Sequence, residues 1–99
     1  RQRQMCIRDS ARIFQAVEAV PGAHNPHRVR SRQIGNMYMI ALDIEVDGTI
    51  SVTEAHRIAN EVERSIKARI DNIYDIVVHV EPEGVHHDAE KFGIDRGMV

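Results

Sequence analysis

The segment from Met37 to Glu81 leaves little freedom to the fold. Residues 37–46 alternate, with Tyr38, Ile40, Leu42, Ile44 and Val46 on one face and Met37, Met39, Ala41, Asp43 and Glu45 on the other. That period of two is the signature of a half-buried strand, and Asp47-Gly48 ends it. Ser51-x-x-Glu54 then reads as a capping box: the Ser51 hydroxyl takes a backbone N–H of the first turn while Glu54 reaches back to the cap. Ala55, Ile58, Ala59, Val62, Ile66 and Ile70 follow as an apolar stripe of helical period, with charges opposite. Asp71-Asn72 breaks the helix. Residues 74–81 alternate again, Ile76, Val78 and Val80 against Asp75, Val77, His79 and Glu81. A strand–helix–strand crossover of this length makes the two strands parallel and joins them right-handedly.

Upstream, Ile13, Phe14, Val17 and Val20 recur at helical steps from Asp9 onward, Asp9 or Ser10 caps them, and Pro21-Gly22 stops them. Ala23-His24-Asn25-Pro26 is prone to turn. Residues 27–34 read as a strand with Arg28, Arg30 and Arg32 on one face and Val29, Ser31 and Gln33 on the other, and Gly35-Asn36 is a two-residue hairpin. The order helix, strand, strand, helix, strand predicts an α+β sandwich of ferredoxin-like (metallochaperone-like) αββαβ type. Two helices cover one face of a three-stranded mixed sheet, and the other face stays open.

Ninety-nine residues suffice for one such domain and not for two. Residues 9–83 are expected to form it. Residues 1–8, which open without an initiator Met and carry no apolar signal core, read as a linker or as non-native sequence, and 84–99 as a loose tail. The chain accordingly reads as a piece of a longer protein. Its longest apolar runs, 37–42 and 76–80, are far shorter than the ~18 residues a membrane span requires. The single cysteine, Cys6, excludes an internal disulfide framework and a multi-cysteine zinc ribbon, and fits a reducing compartment.

The net charge of −2 is unevenly spread. Residues 1–32 hold seven Arg against Asp9 and Glu18, a net +5, and residues 33–99 a net −7. That disfavours a nucleic-acid binder, since no aromatic side chains interleave with the Arg28/Arg30/Arg32 stripe for base stacking. The stripe reads instead as a solvated face or one near anionic lipid headgroups. No glycine-rich phosphate loop is present, Ser51 is used by its cap, and no nucleophile–base pair can be assigned, so an enzyme is not expected.

Histidines are the richer signal: there are six, at 24, 27, 56, 79, 86 and 87. His79 and Glu81 leave one strand on the same side, roughly 6–7 Å apart, and Asp43 lies on the expected neighbouring strand about 4.8 Å away. His56 sits at the start of the second helix just off its apolar stripe, and His24 in the turn before the first strand. Two imidazoles near two or three carboxylates suit a divalent transition metal, zinc above all. Singly, each residue has an ordinary explanation: a boundary histidine on a helix, a strand carboxylate facing water, tail histidines His86-His87 binding metal adventitiously. The conjunction carries more weight than its parts.

Four segments together resemble a known family. They are Gly22-Ala23-His24-Asn25 leading into Arg28-Val29-Arg30; Leu42-Asp43-Ile44-Glu45-Val46-Asp47; Ser51-Val52-x-Glu54-Ala55-His56-x-Ile58-Ala59-x-x-Val62-Glu63; and Val77-Val78-His79-Val80-Glu81-Pro82. From about Asp9 to Pro82 the chain is similar to the C-terminal cytoplasmic domain of cation diffusion facilitator transporters. The resemblance implies the αββαβ fold and a homodimer on the cytoplasmic side of a cell membrane. It also implies an upstream transmembrane domain that exchanges a divalent cation for protons, and metal binding at the dimer interface that favours the closed, transport-competent state. It places His24, His56 and His79 on metal-binding histidines and Glu81 on a carboxylate able to bridge two ions. Asp43 falls where zinc members have a histidine, and Glu81 where they have an aspartate. Oxygen in place of nitrogen hardens the site, so beside Zn2+ the resemblance leaves Fe2+ or Mn2+ open. The +5 N-terminal part suits a segment just cytoplasmic of a membrane helix. Two other readings stay open: a metal-independent structural dimerisation domain of the same transporter type, and an unrelated ferredoxin-like ligand sensor.

Overall fold

Every apolar stripe in the sequence meets the others on one side of a single sheet. The computed structural model describes residues 7–84 and comprises α1 (Ile7–Glu18), β1 (His24–Ile34), β2 (Met37–Val46), α2 (Val52–Arg69) and β3 (Ile73–Pro82). Cys6, His86 and His87 lie outside the described residues. The helix expected from Asp9 begins two residues earlier, at Ile7. The sheet order is β1-β2-β3, β1 antiparallel and β3 parallel to the central β2. The fold is thus the expected α+β arrangement of two helices on a three-stranded mixed sheet.

Ile40, Leu42, Ile44 and Val46 of β2 form the floor of the core, with Val29 and Ile76 from the edge strands. Ile13, Phe14, Ala16 and Val17 of α1 and Ile58, Val62 and Ile66 of α2 close it from above, all 3% exposed or less. Fully burying side chains of this size contributes about 1.5–3 kcal/mol each. The Ser65 hydroxyl on α2 donates to the Ala16 carbonyl at 2.8 Å and ties the helices together.

The punctuation residues act largely as their chemistry dictates. Gly35 takes φ +62° in the hairpin, a conformation open to glycine at little cost. Ser51 Oγ accepts from the Glu54 N–H at 3.0 Å. The reciprocal half of the capping box does not form: the Glu54 carboxylate turns to Arg57, which donates to both of its oxygens. Arg57 also reaches Glu61 at 2.8 Å, so an exposed charge pair along the helix outcompetes the return bond to the cap.

β1 departs from the simple alternation expected of it. It starts at His24, so that histidine belongs to the strand and not to a preceding turn. His24 pairs with Glu45, His27 with Asp43 and Arg30 with Ala41, so three residues of β1 twice span two of β2. These are β-bulges, each holding one extra residue. Asn25 (φ +48°) and Arg28 (φ +52°) supply one left-handed residue to each. Pro26 and Val29 are buried, while His24, His27 and Arg30 share the open face at three-residue spacing. From Arg30 to Ile34 the pairing is one to one.

Candidate metal centre

Two rungs of the sheet build the site on the open face. The first runs His24–Glu45–Glu81 across β1, β2 and β3, and the second His27–Asp43–His79. Asp43 is 0% exposed and Glu81 3%, although both leave the face turned away from the helices. Their neighbours on the rungs cover them. Glu45 and Glu81 stand directly opposite one another on parallel strands, an arrangement that like charges disfavour.

The side chains converge more closely than backbone spacing alone requires. His79 Nδ1 lies 3.4 Å from Glu81 Oε2 and 3.7 Å from Asp43 Oδ1. His27 Nε2 lies 3.2 Å from Glu81 Oε1 and 3.9 Å from Asp43 Oδ2. Ligand atoms of Asp43, His79 and Glu81 all fall within 4.8 Å of one another, as do those of His27, Glu45 and Glu81. Glu81 belongs to both triads.

Local hydrogen bonds orient these donors. His27 Nδ1 stands 2.7 Å from the Asn25 carbonyl. A carbonyl only accepts, so Nδ1 carries a proton and donates it there, which turns Nε2 toward the carboxylates, the ring orientation that a metal-binding histidine takes. Asn25 Nδ2 donates to Glu45 Oε2 at 2.9 Å. Arg28 Nη1 donates to Asp43 Oδ2 at 2.9 Å, and Arg30 Nη1 lies 3.9 Å from Oδ1. Asp43 Oδ1 and both carboxylate oxygens of Glu81 are buried with no hydrogen-bond partner among the described residues. A buried carboxylate left this way is costly. A cation between the triads would satisfy all three oxygens, and mixed imidazole and carboxylate donors suit a divalent transition metal.

Of the five residues singled out in the sequence, the fold gathers Asp43, His79 and Glu81. His24 lies on the adjoining rung but is exposed, with Nε2 3.4 Å from Glu83 Oε2. His56 is exposed on α2 and outside both triads. Spacing alone did not single out His27 or Glu45 as ligands. An unbroken alternation sets His27 on the face opposite Arg28 and Arg30; the bulges move it beside Asp43. The available signal was Asn25, a residue type that tolerates the left-handed region. The arginine stripe also differs from its expected solvated role, because Arg28 and Arg30 are part-buried against Asp43.

A family model described as the cytoplasmic domain of cation efflux proteins matches residues 8–83. The chain belongs to the cation efflux family. This cation efflux domain is the cytoplasmic domain of a cation diffusion facilitator transporter and not an enzyme. It is 31% identical over 84 residues to the cation-efflux pump FieF of Klebsiella pneumoniae, covering 85% of this chain and 28% of that protein. With the manganese efflux system protein MneS of Bacillus subtilis it shares 32% identity over 76 residues, 77% of this chain and 26% of the relative. The chain therefore spans little more than a quarter of the length of these curated relatives. Among solved structures, the metal-bound C-terminal domain of the CzcD transporter from Thermotoga maritima superposes with a TM-score of 0.77 at 42% identity, covering 82% of this chain and 94% of that one. A copper form of the MamM C-terminal domain gives 0.72 at 29% identity, over 77% and 95%. No helix among the described residues of the cation efflux domain is long and apolar enough to cross a membrane.

Proposed function

We propose that this domain is the regulatory and dimerisation unit of a proton-coupled divalent-cation efflux transporter. In this reading it binds metal on the open sheet face and thereby favours the closed, transport-competent pairing of two copies. The observation that carries the proposal is Glu81: a carboxylate 3% exposed, both oxygens without a hydrogen bond, flanked by two imidazoles at 3.2 and 3.4 Å. Asp43 and His79 complete one triad with it and His27 and Glu45 the other. His24 at the rim and His56 on α2 complete the proposed ligand set through the closed dimer.

A bound divalent ion supplies the positive charge that these groups lack. Without it Asp43, Glu45 and Glu81 outnumber Arg28 and Arg30, and two such faces repel. Neutralising that excess biases the pair toward closure by the difference in affinity between its two states. The imidazoles make Zn2+ the first candidate, and the carboxylates beside them keep Fe2+ or Mn2+ as alternatives. The relative named for manganese efflux and the metal-bound neighbour support a divalent cation here. The second partner is a transmembrane domain upstream in the same transporter, with this domain on the cytoplasmic side.

The test is calorimetric titration of Zn2+, Fe2+ and Mn2+ into the chain, beside His79→Ala and Glu81→Ala, with mass followed by light scattering. Saturable binding on a dimer, lost in both variants, is expected. A dimer that takes up no metal would instead indicate a metal-independent scaffold.

A further inference from the structure

Asp43 already holds a cation. Arg28 Nη1 sits 2.9 Å from Oδ2, the oxygen turned toward His27, with the Arg28 side chain 15% exposed and that of Asp43 1%. Arg28 reaches this position because it is the left-handed residue of the second bulge, at φ +52°. A non-glycine residue held there needs a compensating contact, and a charge-assisted hydrogen bond to a buried carboxylate is a strong one. Arg30 braces the arrangement by donating from Nη1 to the Arg28 carbonyl at 2.6 Å.

We infer that Arg28 is an internal counter-ion that stabilises the metal-free domain and competes with metal for the charge of Asp43, setting the affinity of the site. The inference rests on the reading of Asp43 as a metal ligand. In the empty domain the guanidinium neutralises the most buried carboxylate of the cluster. When a divalent ion enters the Asp43–His79–Glu81 triad, the nearby guanidinium opposes it across a part-buried gap, where charges are weakly screened. Arg28 therefore sets the affinity of the site and is not itself a ligand. It weakens binding to every divalent ion, so the site responds to excess metal and stays empty at low concentration.

The test compares the chain with Arg28→Gln, which removes the charge but keeps an amide donor for Asp43, and with Arg28→Lys, which keeps the charge. Zn2+ binding by calorimetry should tighten about tenfold or more in Arg28→Gln and stay close to the parent in Arg28→Lys. The metal-free Arg28→Gln domain should melt lower, and saturating Zn2+ should raise its Tm by more than it raises the parent's. Should Arg28→Gln lose its fold, the parent alone decides by NMR: the Arg28 Nη–H signals, which report the bond to Asp43, should move toward those of free arginine as Zn2+ is added. Unchanged or weakened affinity in Arg28→Gln, or an Arg28 signal indifferent to metal, overturns the inference. If the parent binds Zn2+ through Glu81 yet Arg28→Gln matches it, the inference alone fails. If neither binds, the metal-site reading fails with it.

Discussion

His27 Nε2 and Glu81 Oε1 stand 3.2 Å apart, with the other imidazole nitrogen committed to the Asn25 carbonyl. Nε2 therefore faces a buried carboxylate on the open side of the sheet. Both Glu81 oxygens lack a hydrogen bond among the described residues, so the group placed to meet an ion is also one that burial penalises in the metal-free fold.

Glu81→Gln should separate the two demands. Removing a buried carboxylate that lacks hydrogen bonds is expected to stabilise the metal-free domain by about 1 kcal/mol, read as a higher urea midpoint. The same variant should lose the stabilisation that Zn2+ gives the parent, about 2.7 kcal/mol at a hundredfold excess over Kd. A metal-free variant weaker than the parent would mean that Glu81 is a structural anion.

The first bulge offers a second test. Asn25 combines φ +48° with a hydrogen bond to Glu45, so Asn25→Ala should cost about 1–2 kcal/mol in chemical denaturation. Asn25→Gly should recover the backbone part of that loss. Equal losses in the two variants would place the whole effect in the side-chain bond.

Gly22 sits at φ +93°, where an added Cβ would come 2.9 Å from Ile58 Cδ1. Gly22→Ala should lower the Tm, and Ile58→Val, which alone costs about 0.5–1.5 kcal/mol, removes the clashing methyl. The double variant should therefore be more stable than the summed singles require. Strict additivity would show that backbone strain alone penalises alanine.

Asp47 lets the pH dependence be signed. Thr49 donates its hydroxyl to Asp47 Oδ1 at 2.7 Å and its N–H at 2.8 Å, which holds the carboxyl below its usual value. A depressed folded-state pKa contributes stability that is fully present above the unfolded value of about 3.9 and is lost as pH falls through the folded one. Relative to Asp47→Asn, the parent should hold its advantage near neutrality and lose it progressively below about pH 4. A gap independent of pH would assign the turn's stability to shape alone.

Much of this architecture is legible in the residues because local chemistry and burial agree there. Met37–Val46 begins and ends where its alternation does, and Ile58, Val62 and Ile66 are buried as their spacing requires. Asp43, His79 and Glu81 meet because a period of two and a parallel crossover together fix both face and neighbour. The largest departure is in β1. Each bulge adds one residue, and one residue reverses the face of all that precedes it. No apolar pattern marks the shift, because the face concerned carries histidine and arginine. Glu54 likewise shows that a capping motif names two partners without deciding between them and a nearby arginine.

Glu81 is the next-to-last residue of β3, an edge strand, and beyond it the Glu83 N–H donates to the Val46 carbonyl at 2.9 Å. The carboxylate common to both triads thus hangs on the end of a strand that can fray without disturbing the core. Peeling back those last few residues would open both triads together, so retention of ions on this face would be governed by the lifetime of one backbone latch at the sheet margin.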